Sequence, residues 1–249
     1  MLNKTIIRLH PIKSQASPYW DSLVRVYLQS FPRDEQRPIE SIAHLLTEEP
    51  RYTMQAIIND NYAAELQAVG QKPTAKVCAN RTQNQARLNY AEVQPKLNNE
   101  VVNSQRPIAN SQKPKANSQK PIANSPKLLG LLTTWHFEEF IYIEHFAIDP
   151  TLRSQGYGSE ALKAFIHEHG KPIVLEAEPP TDAFSIRRIR FYERIGLTLY
   201  DFPYMQPAYT EDSHPVELRL MGTLDTETTP LPLVSQILHR EVYGWTAND

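Results

Sequence analysis

Arg153-Ser154-Gln155-Gly156-Tyr157-Gly158 brings an arginine and two closely spaced glycines together in a chain that has only eight Gly. The stretch follows a strand-like run, Phe140 to Ile148, and leads into a helix-like run, Ser159 to His169. A glycine-rich turn between a strand and a helix can cradle phosphate. Glycine lets the backbone come close to a ligand, the first amides of a helix lack partners inside it, and the helix dipole favours negative charge at that end. Arg153 adds a planar guanidinium whose paired N–H groups match phosphate oxygens. An ordinary strand–turn–helix bend would use glycine in the same places, so the surroundings of the turn decide between the two.

Those surroundings read as one α/β domain once a middle segment is set aside. Thr5 to Pro11 has strand character, and Pro18 to Phe31 carries Trp20, Leu23, Val24, Val26, Tyr27 and Leu28 at helical spacing. Pro38 opens a second helix that runs to about Leu46. Thr53 to Ile58, Lys127 to Trp135 and Phe140 to Ile148 are further strands, the last two joined by a hairpin around Glu138-Glu139. After the glycine turn come an amphipathic helix, an apolar strand from Pro172 to Ala177, and a helix from Ser185 to Ile195 capped by Gly196. Leu197 to Phe202 and Val216 to Met221 are late strands, and Pro232 to Val242 is a closing helix.

The middle segment, about 71–127, is rich in Asn, Gln, Ser, Lys and Pro. A seven-residue unit recurs there, Ser104 to Asn110, Ser111 to Asn117 and Ser118 to Asn124. A proline in each unit excludes a coiled coil despite the period, and the few small apolar residues cannot build a solenoid core. The expectation is a disordered insertion in a surface loop. It holds ten Lys or Arg against Glu92 and Glu100, a surplus of eight positive charges, which leaves the rest of the chain near −10 given the total of −2. No aromatic or Arg-rich periodicity accompanies that charge, so nucleic acid is not an expected partner.

The single cysteine, Cys78, excludes an intrachain disulfide framework. No apolar run reaches membrane-span length and no signal-peptide pattern is present, so the expected location is the cytoplasm. No metal is expected.

Four stretches together resemble the GNAT superfamily of acyl-CoA-dependent N-acetyltransferases. They are Ser30-Phe31-Pro32 with Glu35 and Arg37, then Tyr142 to Ile148 running into Arg153 to Gly158, then Val174-Leu175-Glu176, and finally Arg190-Phe191-Tyr192-Glu193-Arg194-Ile195-Gly196. The resemblance covers the chain apart from the insertion. It implies a twisted mixed sheet with helices on both faces, whose fourth and fifth strands splay apart to admit acetyl-CoA as co-substrate. It further implies that Phe146, Ala147 and Ile148 pair with the pantetheine arm, and that Arg153, Ser154, Gln155, Gly156, Tyr157, Gly158 and Ser159 hold the pyrophosphate. Ser185 stands where many relatives carry an Asn that contacts the pantetheine arm.

The implied chemistry is attack of a neutral amine on a thioester, which needs a proton acceptor and a proton donor to the leaving sulfur. Tyr192 matches the family's acid. Glu144 is the candidate base, on the reading that strand alternation puts Glu144, Phe146 and Ile148 on one face and His145 and Ala147 on the other. Glu144 could equally be a structural carboxylate that only positions substrate, and His145 is the second candidate base. Glu176 is assigned to substrate binding. With Glu138, Glu139 and Glu178, these carboxylates would attract a cationic amine, either a small molecule or a peptide. The alternative function is a non-catalytic acyl-CoA-binding module whose basic insertion engages a partner.

Overall fold

Alternating burial along 52–56, where Tyr52, Met54 and Ala56 turn inward, is what makes a half-covered strand, and the same logic builds most of the sheet. The computed structural model describes residues 6–60 and 127–245; the heptapeptide repeats and Cys78 lie outside the described residues. The elements are β1 (Ile7–Ile12), α1 (Trp20–Ser30), α2 (Ile39–Glu48), β2 (Tyr52–Asn59), β3 (Lys127–His136), β4 (Ile141–Ile148), α3 (Tyr157–His169), β5 (Ile173–Ala177), α4 (Ala183–Glu193), β6 (Thr198–Leu199), β7 (Tyr204–Gln206), β8 (Val216–Gly222) and α5 (Leu231–Ile237). A π-helical turn, Leu238–Val242, continues α5.

Among the described residues, eight strands form one mixed sheet in the order β1-β2-β3-β4-β5-β8-β6, with β7 pairing to β8 off that path. Of the described strand pairs, β4–β5 alone is parallel; the others are antiparallel. Helices cover both faces. On one face Leu23, Val26 and Tyr27 of α1, Ile42 of α2 and Val234 of α5 join Trp135, Tyr142 and Leu220 in a core. On the other, Leu162 and Phe165 of α3 and Ile189 and Tyr192 of α4 pack on Ile141, Ile143 and Leu175.

Local signals set most boundaries. Pro38 sits at the N-cap of α2, where its missing N–H costs nothing. Asp182 and Ser185 make a reciprocal capping box at the start of α4. The late region departs from expectation: the strand expected over Leu197 to Phe202 shrinks to Thr198–Leu199, and a separate short strand, β7, follows it. At three residues, β7 is too short to leave a clear alternation pattern.

Candidate active site

Strands β4 and β5 run side by side only where Ile141, Tyr142 and Ile143 face Ile173, Val174 and Leu175. Beyond Ile143, β4 continues to Ile148 with no partner on that edge among the described residues, while β5 stays paired to β8 through Ala177. The two strands therefore part, and a cleft of about 650 Å3 opens between them. Phe146, Ala147 and Ile148 line it from β4, Tyr192 from α4, and Glu176 from β5.

The glycine turn closes one end of this cleft. Ser154 has φ 65° and Gly156 φ 86°, so two left-handed residues alternate with ordinary ones and turn successive amides toward a common side. Gly156 is the N-cap of α3 and supplies no side chain there. The first bond inside the helix is from Glu160 N–H to the Gly156 carbonyl, at 3.1 Å, so Gly158 and Ser159 have no acceptor within the helix. Arg153 donates from Nε to the Ile148 carbonyl (3.1 Å) and from Nη2 to Ser30 Oγ (3.2 Å), tying the turn to the end of β4 and to α1. Ser154, Tyr157 and Arg153 also line the cleft, whereas Gln155 is exposed and does not.

Nothing lies within 4 Å of the position a Cβ would take at Gly156, so Gly156→Ala meets no clash and only backbone strain. That strain is expected to lower stability by about 1–2 kcal/mol. Ser154→Gly relieves the same kind of strain at residue 154 and is expected to raise the melting temperature. Thermal melts read both; shifts of the same sign would contradict the strain argument.

At the inner end of the cleft, the expected alternation of β4 fails. Thr133 pairs with His145 and Thr134 with Ile143, which leaves Glu144 as the extra residue of a β-bulge. The bulge turns Glu144 and His145 to the same face. Glu144 meets Trp135 there, and His145 packs edge-on against Tyr27 and Phe31. Phe146 points to the opposite face, stacked on Phe191 of α4. The grouping of Glu144 with Phe146 and Ile148 is thus corrected by a single inserted residue.

The Glu144 side chain is fully buried and fully engaged. Arg37 reaches Oε1 from Nε (2.8 Å) and Nη2 (2.7 Å), the Tyr209 hydroxyl donates to Oε1 (3.0 Å), and Trp135 Nε1 donates to Oε2 (3.1 Å). Burial works against its charge, but Arg37 and these donors more than offset it and hold the carboxyl below its ordinary range. Arg37 lies 4.6 Å over the Tyr209 ring and 5.7 Å from that of Trp135, and its Nη2 also donates to the Val242 carbonyl (2.8 Å). His145 is equally committed. Its Nε2 lies 3.1 Å from the Glu35 carbonyl, which can only accept, so Nε2 carries the proton and Nδ1 accepts from the Thr133 hydroxyl at 3.1 Å. Burial lowers its pKa and keeps it neutral.

Glu176 is the contrasting carboxylate. It is only partly exposed, and no cation pairs with it among the described residues. Tyr243 donates its hydroxyl to both oxygens (3.1 and 2.9 Å) and, having given its one proton, accepts from the Tyr142 hydroxyl at 3.0 Å. The Tyr204 hydroxyl stands beside Glu176 yet makes no hydrogen bond of normal geometry. Burial dominates, and the Glu176 carboxyl is pushed up to about 7. Glu35, also lining the cleft, is raised to about 7 by burial and by nearby Glu178. Glu178 itself is paired with Arg188.

Tyr192 is 7% exposed and faces the cleft, with burial pushing its phenol up to about 12, so it stays protonated at neutral pH. Ser185 is placed elsewhere. Its hydroxyl interacts with both the N–H and the carbonyl of Asp182 in the cap of α4 (3.2 and 3.0 Å), and it does not line the cleft. The site residues that sequence reading did not assign are Arg37, Tyr209, Trp135 and Tyr243. Arg37 belongs to one of the stretches that carried the family resemblance, but nothing local to it names its partner 107 residues away.

Residues 110–197 match the model of the Acetyltransferase (GNAT) family, and the described part of that match runs from β3 through α4. No curated protein matches this chain. Among solved structures, a protein from Bacteroides thetaiotaomicron assigned to the GNAT acetyltransferase family is 24% identical with a TM-score of 0.65, covering 96% of this chain and 99% of that one. NAA60 from Arabidopsis thaliana, solved with acetyl-CoA, is 11% identical with a TM-score of 0.48, covering 89% of this chain and 99% of that one. An acetyltransferase from Bacillus subtilis, solved with CoA, is 10% identical with a TM-score of 0.41, covering 88% and 97%. The Bacteroides protein shares the fold of this chain.

Proposed function

We propose that this chain, whose residues 110–197 match the model of the Acetyltransferase (GNAT) family, transfers an acetyl group from acetyl-CoA to a primary amine, with Glu176 as base and Tyr192 as acid. The observation that carries the reading is the parting of β4 from β5, with the glycine turn at one end and a carboxylate of near-neutral pKa at the other. The residues present fit acetyl-CoA. The free edge of β4 at Phe146–Ile148 suits an extended amide-bearing arm, and the left-handed turn with the unpaired amides of Gly158 and Ser159 suits a pyrophosphate. Bound acetyl-CoA would supply the thioester carbon and the leaving thiolate.

The protein's own part is proton handling. An amine arrives as its ammonium, and Glu176 takes one proton so that the nitrogen lone pair is free to form the C–N bond. Glu144 is less suited to that step, since Arg37, Tyr209 and Trp135 already occupy its lone pairs and keep it a weak base; its role is to position Arg37 and the loop that follows α1. As the C–S bond breaks, the Tyr192 hydroxyl gives its proton to sulfur, and the phenol is restored by the second proton leaving the new amide nitrogen. One proton, held by Glu176, is then released to solvent.

Purified protein given acetyl-CoA and a panel of primary amines is expected to release free CoA thiol. Tyr192→Phe should slow release by about 100-fold with acetyl-CoA binding by calorimetry unchanged; undiminished turnover would remove Tyr192 from the acid role. Binding of acetyl-CoA without thiol release from any amine would favour a non-catalytic acyl-CoA-binding module.

A further inference from the structure

The last described turn of the chain reaches back to Glu176. Tyr243 follows the π-helical turn Leu238–Val242, and its hydroxyl lies 3.1 and 2.9 Å from the two carboxylate oxygens. One donor shared by both oxygens holds the orientation of the group as well as its place. The Tyr142 hydroxyl of β4 donates to Tyr243 at 3.0 Å, and two hydroxyls in series polarise each other. Tyr243 does not line the cleft, whereas Glu176 does, so the phenol supports the carboxylate from behind. Tyr243 is itself anchored. Its ring packs on Tyr209 with centroids 5.0 Å apart, the Tyr209 hydroxyl donates to Glu144, and the carbonyl of Val242 accepts from Arg37 Nη2 at 2.8 Å. The Arg37–Glu144 pair therefore locates the phenol that serves Glu176.

A base in acetyl transfer meets two opposing demands. It must be ionised when the amine arrives, and it must not be tied to a counter-charge that makes it a poor proton acceptor. An ion pair meets the first demand and defeats the second, as Arg37 does at Glu144. A phenol is a neutral donor, and it stabilises a carboxylate by hydrogen bonding without adding a charge. The titratable groups that face Glu176 are Tyr142 and Glu144 from β4, Tyr204 from β7, Tyr209 from the loop between β7 and β8, and Tyr243. Burial, the largest influence, and Glu144 favour the protonated form, while Tyr204, Tyr142 and Tyr243 favour the ionised one. Of these three phenols, Tyr243 makes the direct hydrogen bonds.

We propose that Tyr243 is a positioning residue for the acetyl-transfer step, whose hydroxyl holds Glu176 facing the cleft and stabilises the charged carboxylate without supplying a counter-charge. This rests on the reading of Glu176 as base given above. Tyr243 acts through Glu176 alone, so its effect on the reaction follows the ionisation of that carboxylate.

The test uses Tyr243→Phe in the full chain, which keeps the ring against Tyr209 and removes only the hydroxyl. Carbon-13 NMR of the glutamate carboxyls, with the Glu176 resonance assigned by its absence in Glu176→Gln, reads the titration with no acceptor present. The wild-type midpoint of about 7 should rise by about one pH unit in the variant. CoA thiol release is then followed with the primary amine that wild type acetylates fastest. The wild-type to variant ratio of kcat/KM should be about tenfold below the wild-type midpoint and fall toward one at alkaline pH, where both carboxyls are ionised. The titration of the amine is common to both proteins and cancels. In a Glu176→Gln background the same change should alter kcat/KM by less than about twofold, since its route to the chemistry is gone. An unmoved NMR midpoint, or a loss of rate that is the same at every pH, overturns the proposal while Glu176 stands as base. Wild-type turnover by Glu176→Gln removes the base reading and this role with it.

Discussion

Glu176→Gln is expected to lower acetyl transfer by about 100- to 10,000-fold while leaving the fold and acetyl-CoA binding intact. Glutamine keeps the shape and can still accept from Tyr243, whose hydroxyl now serves both carboxylate oxygens, so the change isolates the loss of a proton acceptor. The wild-type to variant ratio of kcat/KM should climb with pH through about 7, where the buried carboxyl gives up its proton, and then level off. The amine's own titration is common to both proteins and cancels in that ratio. Stability carries the opposite sign. The folded-state pKa of about 7 lies above the ordinary 4.5 of a free carboxyl, so between those values the native state holds a proton that the unfolded chain releases. Rising pH therefore lowers this group's contribution across that window, and Glu176→Gln should flatten that part of the pH–stability curve. Turnover within threefold of wild type would take the base role away from Glu176.

A second large effect is expected from Arg37→Met. The substitution leaves Glu144 fully buried with its counter-charge gone, a situation that typically costs about 3–5 kcal/mol, or roughly 6–20 °C in melting temperature for a domain of this size. Methionine keeps much of the arginine stem, so the loss is mainly electrostatic. The double change Arg37→Met with Glu144→Leu should recover a substantial part of the stability, because an apolar pair replaces an ion pair whose desolvation was already unfavourable. Recovery will be incomplete, since Trp135 Nε1 and the Tyr209 hydroxyl lose their acceptor. Chemical denaturation of the four proteins closes the cycle. An Arg37→Met variant as stable as wild type would show that Glu144 is not held by this pair.

These two residues also mark where sequence reading reached and where it stopped. Periodicity located the helices and long strands because a buried face repeats at 3.6 or 2 residues and leaves its imprint in order. The glycine turn was legible because left-handed backbone calls for particular residue types, and Gly156 is one of them. The bulge at Glu144 was not legible. In Tyr142-Ile143-Glu144-His145-Phe146 an extra residue interrupts the register without altering the apolar look of the strand. The distinction between Glu144 and Glu176 was equally hidden, since it depends on which cation or phenol arrives from far away: Arg37 is 107 residues from Glu144, and Tyr243 is 67 from Glu176. Local pattern carries no record of such pairings, and only the folded packing reveals that one carboxylate is held charged and the other left near neutrality.

Val242 and Tyr243 give the site a place in time as well as in space. The Val242 carbonyl receives Arg37 Nη2, and the Tyr243 hydroxyl serves Glu176. During synthesis, β4, β5 and the glycine turn emerge well before these two residues, and N-terminal regions begin to fold first. The packing around both carboxylates is therefore completed by the last described turn of the chain, since Arg37 and Glu176 each take a contact from residues 242 and 243.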